Sequence, residues 1–173
     1  MRHDPILLLE VQRKMIQDFF KRYVITPIVE LLRQGLTPQM LAISMASGII
    51  IGTFPIVGTT TAICTVVAIL FRMNLLVTQL GNWLMYPIEI LLIVPFIILG
   101  EHLFGTPFTL NTSHFLLMLH TDLWATVQMF SRMIIHATVA WILFALPAFA
   151  AVYAILYPVF RHLHARIMRK YPS

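Results

Sequence analysis

The pattern of apolar and polar positions divides the chain into segments of very different character. From Leu36 to Arg72 the sequence reads LTPQMLAISMASGIIIGTFPIVGTTTAICTVVAILFR, and no Asp, Glu, Lys, Arg or His occurs between Thr37 and Phe71. Gln39 to Phe71 spans 33 residues, about 50 Å as one helix against roughly 30 Å of bilayer hydrocarbon. That is too long for one span and short for two, which need about 40 residues plus a turn. Gly52-Thr53-Phe54-Pro55-Ile56-Val57-Gly58 supplies a break at its centre. Proline removes a backbone donor and glycine permits the positive φ of a sharp reversal. Split at Phe54 and Thr59, the arms are about 24 and 20 Å long. The pattern predicts a re-entrant or broken-helix hairpin, with two short spans as the alternative.

On the N-terminal side, residues 6–34 read as an amphipathic helix. Leu8, Val11, Met15, Phe19 and Tyr23 recur at spacings of three and four, with Glu10, Arg13, Lys14, Gln17, Asp18 and Lys21 on the other face. Pro27 is expected to bend or end it. Such a helix lies in a membrane interface, or packs on a partner or on the protein's own underside. Acidic residues among the cations and the absence of a small-residue cleavage site argue against a signal peptide.

Beyond Arg72, Asn74, Thr78 and Asn82 recur every four residues on one face of an otherwise apolar stretch, followed by Tyr86 or Glu89. Polar groups so placed favour a protein interior or a wet cavity over lipid. If Leu75–Gly100 is one tilted helix, Glu89 sits at mid-membrane and must be protonated, paired or facing water. If the helix begins after Pro87, Glu89 sits near an interface. Residues 105–132 open on Gly105-Thr106-Pro107 and continue with Phe115, Leu116, Leu119, Leu123 and Trp124 at helical spacing, a second interfacial segment. Met133–Phe160 is the clearest span, with only His136 able to carry charge and Pro147 expected to kink it. The predicted organisation is an amphipathic helix (1–35), a membrane domain (36–160, comprising the 36–72 hairpin, a 75–104 span, the 105–132 far-side segment and a 133–160 span) and a basic tail (161–173). The expected fold is an all-α integral membrane protein, with the hairpin and two transmembrane helices flanked by amphipathic interfacial helices.

Composition agrees. Hydrophobic residues make up 59% and charged residues 11%, against about 25% charged in a soluble domain. The net charge of +5 comes from cations at the two ends, suited to anionic headgroups and not to nucleic acid. Arg13, Lys14, Lys21, Arg22 and Arg33 precede the hairpin, and Arg161, Arg166, Arg169 and Lys170 follow the last span, whereas 101–132 offers Arg132 alone. The expected topology puts both termini in the cytoplasm. Cys64 is the single cysteine; it can form no intrachain disulfide and reads as a packing residue. Asn111-Thr112-Ser113 matches the glycosylation triplet, which matters only in a glycosylating secretory pathway.

The candidate chemistry lies at the break. Ser44, Gly48 and Gly52 share one face of the first arm and form a small-residue stripe that lets another helix approach closely. Pro55 and Gly58 end that arm, and Thr59, Thr60 and Thr61 open the second, where their hydroxyls are expected to cap free N–H groups. A helix starting inside a membrane directs those N–H groups, and about half a positive charge, at whatever lies there. Broken transporter helices hold anionic groups this way. The candidate binding set is Pro55, Gly58, Thr59, Thr60, Thr61, Asn74, Thr78, Asn82 and Glu89. No hydrolase elbow, phosphate loop, dinucleotide fingerprint or zinc-protease helix occurs, so neither a catalytic residue nor a cofactor is assigned. His102, His114, His120 and His136 with Glu101 and Asp122 fit no standard metal spacing, and no metal site is assigned to them.

These positions resemble a family of bacterial membrane proteins catalogued as domain of unknown function 2062. Its pattern is a glycine-bearing apolar arm, a proline and glycine three apart, polar residues, an arm ending in arginine and asparagine, a glycine–tryptophan pair and a proline. Here they are Gly48, Gly52, Pro55, Gly58, Thr59, Thr60, Arg72, Asn74, Gly81, Trp83 and Pro87, over roughly residues 36–105. Thr59 stands where the family usually has glutamine, and Tyr86 where asparagine usually precedes the proline. The resemblance implies a bacterial inner-membrane protein, sometimes fused to a glycosyltransferase, and supplies no established activity.

Three functions are therefore in view. The first is transport or binding of an anionic amphiphile, such as a lipid-linked phosphate, at the half-helix N-terminus, a small protein needing a homodimer to enclose a path. The second is a non-catalytic membrane subunit or scaffold for a partner such as a glycosyltransferase. A membrane enzyme is third, resting on Glu89 and the far-side histidines.

Overall fold

A computed structural model of the chain describes residues 12–15, 18, 26–33, 35–106 and 123–170. All the regular structure among them is helical. We number the helices α1 (Thr26–Arg33), α2 (Pro38–Ile51), α3 (Thr60–Leu70), α4 (Leu75–Leu103) and α5 (Leu123–Lys170). Two of them, Leu75–Leu103 and the Thr126–Arg169 part of α5, are long and apolar enough to cross a membrane.

The boundaries follow from local chemistry. Thr37 caps α2, its hydroxyl accepting the Met40 N–H at 3.2 Å, and Pro38 takes the first helical position, where a missing N–H costs nothing. Asn74 caps α4 in the same way, its Oδ1 accepting the Val77 N–H at 3.0 Å. Between α2 and α3 the chain turns over Gly52–Thr59, with Gly58 at φ +85°. It turns again at Arg72, φ 54°, where the Asn74 N–H reaches Ser44 Oγ at 3.0 Å and the Ser47 hydroxyl meets Met73 Sδ. The second turn thus lies beside the middle of α2, and α2–α3 is a helical hairpin.

Helices α2, α4 and α5 pack mutually, while α3 lies chiefly against α4. The α2–α4 contact is backbone on backbone. A Cβ at Gly48 would stand 2.0 Å from the Thr78 carbonyl oxygen, and one at Gly81 would stand 2.7 Å from that of Met45. Four residues on, Gly52 faces Met85 Cβ and the Asn82 carbonyl, so the two helices run parallel. The helix admitted by the Ser44/Gly48/Gly52 stripe is therefore the protein's own α4. A second close approach joins α4 to α5, where Gly100 abuts the His136 backbone.

Helix α4 is continuous through Pro87 and Pro95, so the alternative in which it begins after Pro87 does not hold. Both prolines are exposed, as are Pro147 and Pro158 of α5, and the backbone groups they disrupt lie on outer faces. No break falls near 132 or 160, because α5 runs unbroken from Leu123 into the basic tail. Helix α1 turns Ile28 and Leu32 into an apolar cluster with Leu41, Met45, Val77 and Phe160, so this part of the N-terminal region packs on the underside of the bundle, with Pro27 in its first turn. The rest of the expected 6–34 helix beyond 12–15 and 18, most of the 105–132 segment, and Asn111-Thr112-Ser113 lie outside the described residues.

Candidate functional site

The break is anchored rather than loose. The Thr53 and Phe54 N–H groups bond the Ile50 and Ile51 carbonyls at 3.1 and 3.0 Å, and the Thr53 hydroxyl donates to the Ile50 carbonyl at 2.7 Å. From α5, the Trp141 indole N–H donates to Thr53 Oγ1 at 3.1 Å. The Trp141 and Phe54 rings meet edge to face with centroids 5.0 Å apart, and Pro55 is buried. These contacts hold the turn against α5.

Beyond Gly58, the threonines do not cap α3 as expected. Thr59 has helical dihedrals (φ −88°, ψ −21°) and makes no side-chain cap bond. In that geometry its hydroxyl turns back and donates to the Ile56 carbonyl at 2.8 Å. The first bond into the helix is from the Ile63 N–H to the Thr59 carbonyl, at 3.0 Å. The N–H groups of Thr60, Thr61 and Ala62 consequently precede the ladder without a side-chain cap, which leaves the positive end of the helix open. Thr61 and Ala62 are exposed, whereas Thr60 is fully buried with no partner for its Oγ1.

The expected Asn74/Thr78/Asn82 face separates into two roles. Asn74 is used as the α4 cap, and the Thr78 hydroxyl donates to the Asn74 carbonyl at 3.0 Å. Neither makes a hydrogen bond to α3. Asn82 does, its Nδ2 donating to Thr61 Oγ1 at 3.3 Å while its Oδ1 is buried without a partner. Gln79 belongs with it and was missed by the four-residue spacing. Its Nε2 donates to the Thr61 carbonyl at 3.0 Å and Thr65 Oγ1 at 2.9 Å, joining α3 to α4. The available signal was its offset of three from Asn82, which puts the two on neighbouring faces of one helix.

Glu89 lies midway along α4, about 20 Å from either end, 1% exposed, and neither carboxylate oxygen has a partner. It is one turn beyond Met85 and two beyond Asn82 on the buried stripe that continues to Phe96 and Gly100. Gly52 meets Met85, and Trp141, which holds the turn, packs on the Phe96 cluster. The break therefore lies along the stretch of α4 that buries Glu89. Of the five buried side-chain atoms without a hydrogen-bond partner among the described residues, four belong to Thr60, Asn82 and Glu89 and the fifth to His164. Buried polar groups are satisfied in the great majority of cases, so these atoms are exceptions to the usual pairing.

At the other end of α4, His136 Nδ1 and Glu101 Oε1 are 2.8 Å apart, and Thr106 Oγ1 donates to Glu101 Oε2. The His136 ring stacks on Phe104 at 4.1 Å between centroids. His102 is exposed, His114, His120 and Asp122 lie outside the described residues, and no group of three or more metal-ligating side chains occurs among the described residues. Cys64 is buried on α3.

No curated protein and no solved structure matches the chain. A bacterial family described as "Uncharacterized protein conserved in bacteria (DUF2062)" matches residues 21–169, and the chain belongs to it.

Proposed function

Within that bacterial family, we propose that this chain is an integral protein of the cytoplasmic membrane, with both termini cytoplasmic and α2–α3 forming a re-entrant hairpin. It binds, and moves across the bilayer, an anionic amphiphile such as a lipid-linked phosphate. Membrane placement is supported by outward faces such as Leu146 (75% exposed) and Leu91 (73%), apolar surface that a soluble monomer does not present on this scale. The cations at the two chain ends set the orientation.

One observation carries the ligand reading: α3 begins with uncapped N–H groups beside the unpartnered Thr60 Oγ1 and Asn82 Oδ1. Helix starts of this kind hold phosphate and carboxylate. Val57 and Gly58 of the turn and Thr61 and Ala62 at the start of α3 are exposed, and α3 also exposes Val66 and Ile69. The site opens sideways toward lipid, so a headgroup enters while its chain stays in the bilayer. Glu89, about 10 Å along α4 from Asn82, bears on charge balance. An anion and an ionised carboxylate that close repel strongly in a low-dielectric interior, so the anion is accompanied by a proton or cation at Glu89.

The test is transbilayer movement of fluorescent anionic and zwitterionic lipids in proteoliposomes, for wild type, Thr60→Val, Asn82→Leu and, as a structural control, Thr59→Val. Anionic-lipid movement lost in the first two variants and kept in the third is the expected result. Wild-type liposomes that move no anionic lipid faster than empty ones would overturn the reading. The scaffold reading has less support, because the small-residue stripe that would seat a partner is already filled by α4.

A further inference from the structure

A groove of about 450 Å³ opens on the bundle's surface between α1, α2, α4 and the last third of α5. Met45, Ile49, Leu84 and Leu156 make its apolar wall, and among the described residues His162 and Arg166 are the polar side chains that line it. From Leu156 to Arg166 is about 15 Å along α5, so the groove is long, apolar over most of that length, and basic at the tail end. Its volume is that of a small-molecule site. Among the described residues neither His162 nor Arg166 forms an ion pair, and both are exposed. Arg169 continues the same face of α5 one turn on.

We propose that this groove is a binding site for one acyl chain of an anionic phospholipid of the cytoplasmic leaflet, with its phosphate held by Arg166 and His162. The charge pattern selects the occupant. An apolar trough ending in the unpaired Arg166 guanidinium beside the His162 imidazole, on the side where the cation count places headgroups, complements a chain joined to a phosphate, and such basic pockets between membrane helices bind anionic headgroups. A long arginine side chain reaches the interface while its stem stays on apolar surface. A second protein helix would leave the Arg166 guanidinium unmatched unless it brought a carboxylate to that end. The groove lies on the α1/α5 side of the α2–α4 pair, and the α3 start lies on α4's other flank, so the two sites are separate. This inference rests on the bilayer placement above and not on the α3 site.

The experiment is native mass spectrometry of the full-length protein released from nanodiscs of equimolar phosphatidylcholine and phosphatidylglycerol. Wild type is expected to retain one phosphatidylglycerol in preference to phosphatidylcholine. Arg166→Gln should lower that preference about fivefold, the effect of roughly one interfacial cation, and Arg169→Gln, outside the groove, should lower it less. Val159 lines the groove and is 55% exposed, so Val159→Trp blocks it from a surface position and should abolish retention of either lipid, with an unchanged helical circular dichroism spectrum. Retention by Val159→Trp equal to wild type, or an unchanged preference in Arg166→Gln, overturns the proposal. Loss of retention in Thr60→Val, with Val159→Trp unaffected, would place the lipid at α3 and overturn it as well; Thr60→Val without effect here, but defective in transport, separates the two sites.

Discussion

Gly48→Ala is the sharpest structural test, because two opposing effects must be weighed. Alanine is favoured over glycine in a helix interior by about 1 kcal/mol, so the change would stabilise an isolated α2. In the folded protein the added Cβ would stand 2.0 Å from the Thr78 carbonyl oxygen, 2.9 Å from its carbon and 3.1 Å from the Asn82 nitrogen. All three are backbone atoms, so no rotamer change relieves the clash. Ordinary contact begins at 3.4 Å, which requires α2 and α4 to part by about 1.4 Å. Gaps of roughly 0.5–1 Å already forfeit a quarter to a half of a dispersion well, and the loss extends to the neighbouring contacts of Gly52 and Gly81. Overpacking of this kind costs about 1–3 kcal/mol, and backbone against backbone places Gly48 at the upper end. The net expectation is a loss of about 2 kcal/mol after the propensity gain. Reversible unfolding by SDS in mixed micelles, followed by tryptophan emission, measures it. Gly58→Ala is the comparison: nothing lies within 4 Å of the added methyl, but φ is +85°, and the left-handed backbone alone costs about 1–2 kcal/mol. A Gly48→Ala midpoint at or above wild type would refute the close-contact reasoning.

The same titration checks four further expectations. Gln79→Leu removes the bonds to the Thr61 carbonyl and Thr65 Oγ1 and should cost about 1 kcal/mol, in the range of interhelical hydrogen bonds in membrane proteins. Trp141→Phe and Thr53→Val each cost about 1 kcal/mol; since they share one bond, the double variant should lose measurably less than the sum. His136→Ala removes one of the two side-chain hydrogen bonds to the buried Glu101 while Arg132 still acts on it, and should cost about 2 kcal/mol, with His136→Gln milder because its amide can still donate. Glu89→Leu should be neutral or stabilising by about 1 kcal/mol, since burying a polar group without a hydrogen bond is unfavourable; a clear destabilisation would mean that the carboxyl has a structural partner.

Much of the fold was legible because the signals were local and strong. The break at Pro55 and Gly58, the start of α4 after Asn74 and the apolar reach of α4 and α5 each follow from residue types whose backbone preferences act within a turn. What sequence spacing could not supply was the direction in which each polar side chain is used. Asn74, Thr78 and Asn82 share a face, yet the first two are taken up by the start of their own helix and only Asn82 reaches across to α3. Thr59 has the side chain of a cap but helical dihedrals, so its hydroxyl turns to Ile56. Gln79 escaped notice because its partner face is defined by where α3 lies, a tertiary fact. The status of Glu89 turned on whether Pro87 starts a helix or sits within one. An exposed proline in a long helix loses one bond on an outer face, and local preference cannot see that exposure.

The close glycine contacts and the candidate site are one arrangement. Gly48 fixes the level of Thr78 and Asn82 on α4, and Gly52 fixes that of Met85. With those two points set, the chain leaving α2 must turn beside the stretch that carries Asn82 and Glu89, and α3 must begin next to Asn82. Trp141 then clamps the turn through Thr53, so the open start of α3 is placed by backbone packing and not by its own threonines. A substitution that parts α2 from α4 by even 1 Å therefore displaces the uncapped N–H groups from Asn82 Oδ1, and on the ligand reading proposed above a change at Gly48 should disturb transport without touching a polar atom of the candidate site. A variant such as Gln79→Leu costs stability while leaving the glycine register intact, and should disturb ligand handling less for each kcal/mol lost. Proteoliposome transport plotted against unfolding free energy for the two variants separates these effects. Points on a single line would mean that stability alone governs activity, and that the register imposed by the glycines has no functional role.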